Sequence, residues 1–224
     1  AATHLLNLGK LYSQWGKTEL DKYERARVLY EQALRLRERR LLPGHLSIWE
    51  IQIELTRLLL QMGKFSDAES LIRQAVHDQQ VSHGPDQANL GIGYLVLADV
   101  RFEQGAYKDA AVHYQHALSL FEKSFGGKNS STVAAMVGLG RVAVLQNRSS
   151  AGLDYLRRAA ALESEAFPYR LGIALVNRKL EILDEGEEVR DLVIGIASRY
   201  FAADENAKRF ALELLLNRKG LVFE

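Results

Sequence analysis

The chain has 224 residues, of which 47% are hydrophobic and 25% charged, and its 29 basic and 28 acidic side chains leave a net charge of +1. This balance does not favour a nucleic-acid-binding or membrane-surface protein. The absence of cysteine excludes disulfides, thiolate metal sites and a cysteine nucleophile within these residues. No stretch approaches the roughly 18 consecutive apolar residues of a membrane span, and no signal peptide opens the chain, so we expect a cytoplasmic protein.

The three prolines indicate how the chain is divided. At an average usage of ~5% a chain of this length would carry about 11, so the low count predicts long, uninterrupted helices. Pro43 and Pro85 are 42 residues apart, and Pro168 lies one residue short of a later step of the same size. All three are therefore predicted to lie in connections between helices.

The same 42-residue interval relates two sets of small residues and one set of large ones. In a helix, residues three and four apart share a face, so a large side chain flanked by two small ones forms one packing stripe. Gly63, Gly105 and Asn147 precede these stripes and favour the left-handed backbone that ends a helix. Each unit therefore predicts two helices. The small residues are Ala26, Ala68, Ala110, Gly152 and Ala33, Ala75, Ala117, Ala159; the large ones are Tyr30, Ile72, Tyr114 and Leu156.

These positions resemble a known family. The patterns Leu8-Gly9, Tyr12, Gly16, Tyr23, Ala26, Tyr30, Ala33 and Leu97-Ala98, Gly105, Tyr107, Ala110, Tyr114, Ala117 are similar to the tetratricopeptide repeat, in the 42-residue form found in kinesin light chain. The resemblance implies an all-α fold, a right-handed alpha-alpha superhelix (TPR solenoid) of about five helix pairs plus a C-terminal helix. It also implies that the first helices line a concave groove that holds a peptide or helix.

The repeats divide the chain into three predicted segments. Residues 1–166 form an array of four repeats, the first with a short insertion near 17–21. Residues 167–203 form a degenerate fifth helix pair, and residues 204–224 form a C-terminal capping or linker helix.

No catalytic constellation is evident, so we expect this segment not to be an enzyme, and we expect no cofactor. Among the six histidines only His113 and His116 have ligand-like spacing, and without a nearby carboxylate partner they favour a helix surface over a metal site.

The face of each first helix opposite its packing stripe predicts the groove. Two flanking ladders are largely apolar, and the charged ladder between them holds three bases and one acid, which predicts a protein or peptide partner with an acidic-hydrophobic segment. The charged ladder is Lys10, Arg57, Asp99 and Arg141; the apolar ladders are Leu6, Ile53, Leu95, Val137 and Ser13, Leu60, Phe102, Val144. The alternative is that tight curvature buries these residues between the first helices. The candidate partner-binding residues are Leu6, Asn7, Lys10, Ile53, Arg57, Leu60, Leu95, Asp99, Phe102, Val137 and Arg141.

The end of the chain suggests a second function. The run from Ala211 to Val222 resembles the helix that leads from such repeats into the caspase-like CHAT protease domain of bacterial proteins. That resemblance implies a sensing or regulatory arm of a protease whose catalytic domain lies beyond Glu224. A plain amphipathic capping helix explains the same residues equally well. A third alternative is a self-assembling structural solenoid.

Overall fold

The computed structural model describes residues 1–16, 21–85, 88–126, 129–173 and 194–195. Within these ranges it contains eight helices and no strands, which confirms an all-α helical-repeat fold. The starts of α3, α5 and α7 are 42 residues apart, as are those of α4, α6 and α8. The helices are α1 (Ala2–Trp15), α2 (Asp21–Glu38), α3 (Leu46–Gln61), α4 (Phe65–His83), α5 (Ala88–Glu103), α6 (Tyr107–Phe125), α7 (Ser130–Leu145) and α8 (Ser149–Ile173).

The small and large residues of the second helices are all buried, as their spacing predicts. In the first and the last pair the large residue packs against a glycine of the first helix. A Cβ atom on Gly9 would lie 2.5 Å from the Tyr30 ring, and one on Gly140 would lie 2.8 Å from a Leu156 methyl carbon. Close approach of the two helices therefore sets the register of these two pairs.

The turns inside three of the pairs also match the prediction. Gly63, Gly105 and Asn147 have φ angles of 70°, 77° and 58°, in the left-handed region. After Gly63, the Lys64 N–H donates to the Leu59 carbonyl at 2.9 Å, which closes the end of α3. A sharp turn then starts the second helix almost at once.

The connection between α2 and α3 is fixed to a later helix. Gln79 Nε2 donates to the Gly44 carbonyl at 2.5 Å, and Ser82 Oγ donates to the Pro43 carbonyl at 3.0 Å. Gly44 has a φ of 80°, and a Cβ there would lie 2.6 Å from the Asp78 carbonyl oxygen. This connection therefore depends on the C-terminal turns of α4.

The expectation for Pro168 was wrong. Pro43 and Pro85 lie between helices, but Pro168 lies inside α8, which continues to Ile173. A proline inside a helix removes one N–H donor and costs about 3 kcal/mol, but it does not always end the helix. Here the helix-forming run Ala159-Ala160-Ala161-Leu162-Glu163 precedes it.

The chain divides into two compact units, Ala1–Leu120 and Phe121–Glu224. In the first unit α2 packs against α3, and α4 against α5, around a continuous apolar core. In the second unit α7 packs against α8. Residues 17–20 of the insertion, most of the fifth pair and the helix at 204–224 lie outside the described residues, so the predicted domain boundaries stay a prediction.

Candidate partner-binding surface

Lys10 of the charged ladder forms an ion pair within the chain. Its Nζ lies 2.8 Å from Glu50 Oε1, so the pair connects α1 to α3. Both side chains are partly exposed, and a pair of this kind contributes roughly 0–1 kcal/mol. Lys10 is therefore largely neutralised by the protein itself.

Arg57 has a looser pairing. Its guanidinium Nη1 lies 3.7 Å from Glu54 Oε1, one helical turn away on α3, and its side chain is 49% exposed. A distance of 3.7 Å is too long for a strong hydrogen bond. Arg57 can therefore exchange Glu54 for a partner's carboxylate at little cost.

Asp99 has a role within its own repeat. Tyr114 Oη donates to Asp99 Oδ1 at 2.6 Å, which ties α6 to α5. Tyr30 occupies the corresponding position on α2, where it hydrogen-bonds with Ser13, and burial, followed by the nearby Glu54 carboxylate, raises its pKa. Asp99 of the charged ladder is thus used to hold α6 against α5.

The apolar ladders differ in exposure. Leu6, Ile53 and Leu95 are buried in the first unit, as the curvature alternative expects. Leu60 and Phe102 are half-buried, and Asn7 is exposed. In the second unit Val137 is buried and Arg141 is half-buried. Only part of the predicted set is therefore presented on the surface.

Two acidic residues on this surface, Glu50 and Glu54, were not predicted as site residues. Glu50 lies two turns and Glu54 one turn before Arg57 on α3, and the successive spacings of four and three put all three on one face. Their spacing from Arg57 was the signal in the sequence that could have identified them as part of this surface. They make the surface of the first unit mixed in charge, where the ladder alone suggested a basic one.

The two histidines with ligand-like spacing pack against an aromatic ring. Tyr94 lies 6.0 Å from His113 and 5.3 Å from His116, measured between ring centroids. Burial lowers the pKa of His113, and the charges of Arg73, His116 and Arg101 act in the same direction. Within the described residues no group of three or more ligand-type side chains is placed to hold a metal ion.

A polar cluster joins α4 to α5 in the same unit. Glu69 Oε1 accepts from Arg101 Nη2 at 2.6 Å and from Arg73 Nε at 2.7 Å, while Glu69 Oε2 accepts from Gln104 Nε2 at 2.9 Å. Burial opposes ionisation of Glu69, but these hydrogen bonds and charges hold its pKa below the usual value. The cluster is an interhelical contact.

The geometry of stacked helix pairs agrees with solved structures. The repeats of a putative kinesin light chain from Podosopora anserina match with a TM-score of 0.61 and 17% identity, over 95% of this chain and 92% of that one. The apo form of RapI matches with a TM-score of 0.64 and 16% identity, over 98% and 84%. BtubC (BKLC) from P. vanneervenii matches with a TM-score of 0.58 and 13% identity, over 100% and 92%. At these identities the likeness concerns the fold.

No described helix is both long enough and apolar enough to cross a membrane. No curated protein sequence is similar enough to the chain to count as a match. Two family models do match, both described as tetratricopeptide repeat, at residues 1–47 and 79–163. This repeat fold is generally non-catalytic and mediates contacts between proteins. The regular 42-residue helix pairs and the two matches together show that the chain belongs to the tetratricopeptide repeat proteins.

Proposed function

We propose that this protein–protein interaction module binds a peptide or helix on the first-helix surface of its first unit, formed by α1, α3 and α5. The observation that carries the proposal is Arg57, a half-exposed guanidinium held only loosely by Glu54. Burial of a charged hydrogen bond between a guanidinium and a partner's carboxylate would contribute roughly 1.5–3 kcal/mol.

Apolar contacts lie beside this charge. Leu60 follows Arg57 by one turn of α3, and Phe102 occupies the same register on α5. Both are half-buried, so each offers part of its side chain to a partner. Leu6, Ile53 and Leu95 form the buried support beneath this surface.

The charges on the surface limit which acidic-hydrophobic segments we expect it to bind. Glu50, Glu54 and Asp99 would repel a run of carboxylates, whereas Arg57 can pair with a single carboxylate. We therefore expect a segment with a single acidic residue next to large apolar side chains. Asn7 on α1, which is exposed, supplies a hydrogen-bonding group for the segment's backbone.

The test begins with peptides selected from a random display library on the intact chain. For a selected peptide, Arg57→Ala should weaken binding by about tenfold or more, because it removes the charged contact. Arg35→Ala removes a comparably exposed arginine from α2 and should leave the affinity unchanged. Fluorescence anisotropy measures both, and equal affinities for the two variants would refute the proposed surface.

Phe102→Ala is a weaker test of this surface than Arg57→Ala. The Phe102 ring lies 5.4 Å from that of Tyr107, centroid to centroid, so removing it also disturbs the α5–α6 turn. We expect a loss of roughly 1 kcal/mol of stability. Arg57 separates binding from folding more cleanly.

The regulatory-arm function is a second proposal and rests on the resemblance of the run from Ala211 to Val222, which lies outside the described residues. A histidine and a cysteine in a strand-rich region following Glu224 in the natural protein would support it. A stop codon directly after Glu224 would exclude it.

A further inference from the structure

Three large apolar side chains are exposed around the connection between α2 and α3. Leu42 is 82% exposed, Val81 73% and Leu46 53%. Leu42 and Leu46 flank the connection itself. Val81 lies in the last turn of α4, directly before Ser82, whose hydroxyl donates to the Pro43 carbonyl. Leu42, Leu46 and Val81 therefore lie at one end of the first unit, and we name them the connection patch.

The repeat does not require leucine at two of these positions. The connection lies between described helix pairs, α1–α2 before it and α3–α4 after it, so the patch is not at an end of the chain. One and two repeats later, the residues in register with Leu42 are both glycine, and those in register with Leu46 are alanine and serine. These residues are Gly84, Gly126, Ala88 and Ser130. The exposed leucines are thus a departure from the repeat, which folds with small residues at the same places.

The backbone that carries Leu42 is held in place. The His45 N–H donates to the Leu42 carbonyl at 3.2 Å, and Gly44 between them has a φ of 80°. With Pro43 before this glycine, the four residues have the pattern of a type II turn. Gln79 of α4 donates to the Gly44 carbonyl and fixes the turn to the helix. A partner therefore meets a backbone that needs little further ordering, which lowers the entropic cost of binding.

The residues that lead into the patch are basic. Residues 35–40 include four arginines and one glutamate, and Arg39 and Arg40 are both exposed. Neither of these two guanidiniums forms an ion pair with any residue that the structure describes. Favourable charge at the C-terminal end of α2 would explain the arginines alone. It does not explain exposed leucines next to them.

We propose that the connection patch is a second docking surface, which binds a segment of another protein that carries large apolar side chains between carboxylates. The apolar side chains of the segment cover Leu42, Leu46 and Val81, and its carboxylates pair with Arg39 and Arg40. Complementary charge selects an acidic segment over a basic one. A protein is favoured over a lipid surface, because the apolar residues surround a fixed turn and do not form the long face of an amphipathic helix.

The patch is separate from the Arg57 surface. Leu46 is the first residue of α3, and Arg57 follows eleven residues later. At 1.5 Å per residue the two are roughly 16 Å apart along the helix. Substitutions at one surface therefore leave the other intact, so the two proposals fail separately.

The test uses peptides selected from a random display library on the intact chain, of which only those that bind Arg57→Ala equally well are kept. We expect them to be rich in large apolar and acidic residues. Leu42→Ser combined with Leu46→Ala should weaken their binding by about tenfold or more, because it removes the apolar contact. Val112→Ser changes a residue of α6 that is 54% exposed and should leave the affinity unchanged. Fluorescence anisotropy measures each affinity.

The charges have a matched test of their own. Arg39→Glu combined with Arg40→Glu should weaken binding of the same peptides by about tenfold, because it turns attraction into repulsion. Arg25→Glu, at a side chain of α2 that is 60% exposed, should not. All the substituted side chains are exposed, so circular dichroism should show unchanged helix content. Full affinity of the variant with both leucines replaced would overturn the proposal, as would a selection that yields no peptide dependent on them.

Two further measurements distinguish the other occupants. Co-sedimentation with vesicles of phosphatidylserine and phosphatidylcholine tests a lipid surface, and sedimentation equilibrium tests a second copy of the chain. We expect neither vesicle binding nor a dimer. Either one, if it is lost when Leu42 and Leu46 are replaced, would assign the patch to that occupant and contradict the proposal.

Discussion

Two alanines of α8 show how strictly the repeat constrains side-chain size. Ala159 is fully buried at the second small position of the stripe, whereas Ala161, two residues later, is exposed. Ala159→Leu should lower the free energy of unfolding by about 1–3 kcal/mol, because the added carbons overfill a close-packed contact. Ala161→Leu should change it by less than about 0.5 kcal/mol. Urea denaturation of both variants measures the difference, and equal losses would contradict this account of the stripe.

His113 makes a prediction about pH. Its folded-state pKa is lowered from 6.5, first by burial, so the unfolded chain binds the proton more tightly. The contribution of neutral His113 to the free energy of unfolding is therefore fully present above about pH 6.5, and it decreases as the pH falls below that value. The groups facing His113 are Arg73, Arg101, His116, Asp109 and the Tyr94 ring. Replacing His113 with Gln should flatten the decrease between pH 6.5 and 5, while His77→Gln, on the exposed side of α4, should keep it. Circular dichroism measures the unfolding of both variants at each pH. A decrease in stability of equal slope in the two variants would argue against this role for His113.

At the scale of single elements, the connection between α2 and α3 depends on α4. Gly44 and Gly84 have φ angles of 80° and 83°, but only a Cβ at Gly44 would collide with neighbouring atoms, Asp78 O among them. Both alanine variants carry backbone strain, and Gly44→Ala should lose about 1 kcal/mol or more beyond the loss of Gly84→Ala. Thermal unfolding compares them. Equal losses would show that the contact with α4 adds nothing.

The elements also show what a sequence can predict here. The helix pairs were predictable because side-chain volume repeats with a fixed period, and Ala26, Tyr30 and Ala33 occupy the buried positions that their sizes imply. The surface was only partly predictable. Whether Ile53 is exposed depends on the angle between neighbouring helices, and the pairing of Lys10 with Glu50 depends on which side chains those helices bring together. Neither the interhelical angle nor the ion pair can be read from the sequence of a single helix. The prediction for Pro168 was wrong for a related reason, since the helix formers around it outweigh one lost hydrogen bond.

At the scale of the whole molecule, a net charge of +1 does not describe the surface of the first unit. There Lys10 and Arg57 lie among Glu50, Glu54 and Asp99, so the local balance is slightly acidic. Binding that depends on Arg57 should therefore weaken only modestly with salt, because the surrounding charges largely cancel. Affinities of a selected peptide at 50 mM and 500 mM NaCl test this, and a loss of about a hundredfold would indicate a strongly basic surface instead.

The central claim is that the first helices of the first unit form the partner-binding surface. Methyl NMR spectra of the chain, recorded with and without a selected peptide, test it most directly. The account predicts that the Leu60 resonances shift on saturation, whereas those of Val28 and Val112, exposed on the second helices α2 and α6, stay in place. Shifts at Val28 and Val112 with Leu60 unchanged would contradict it.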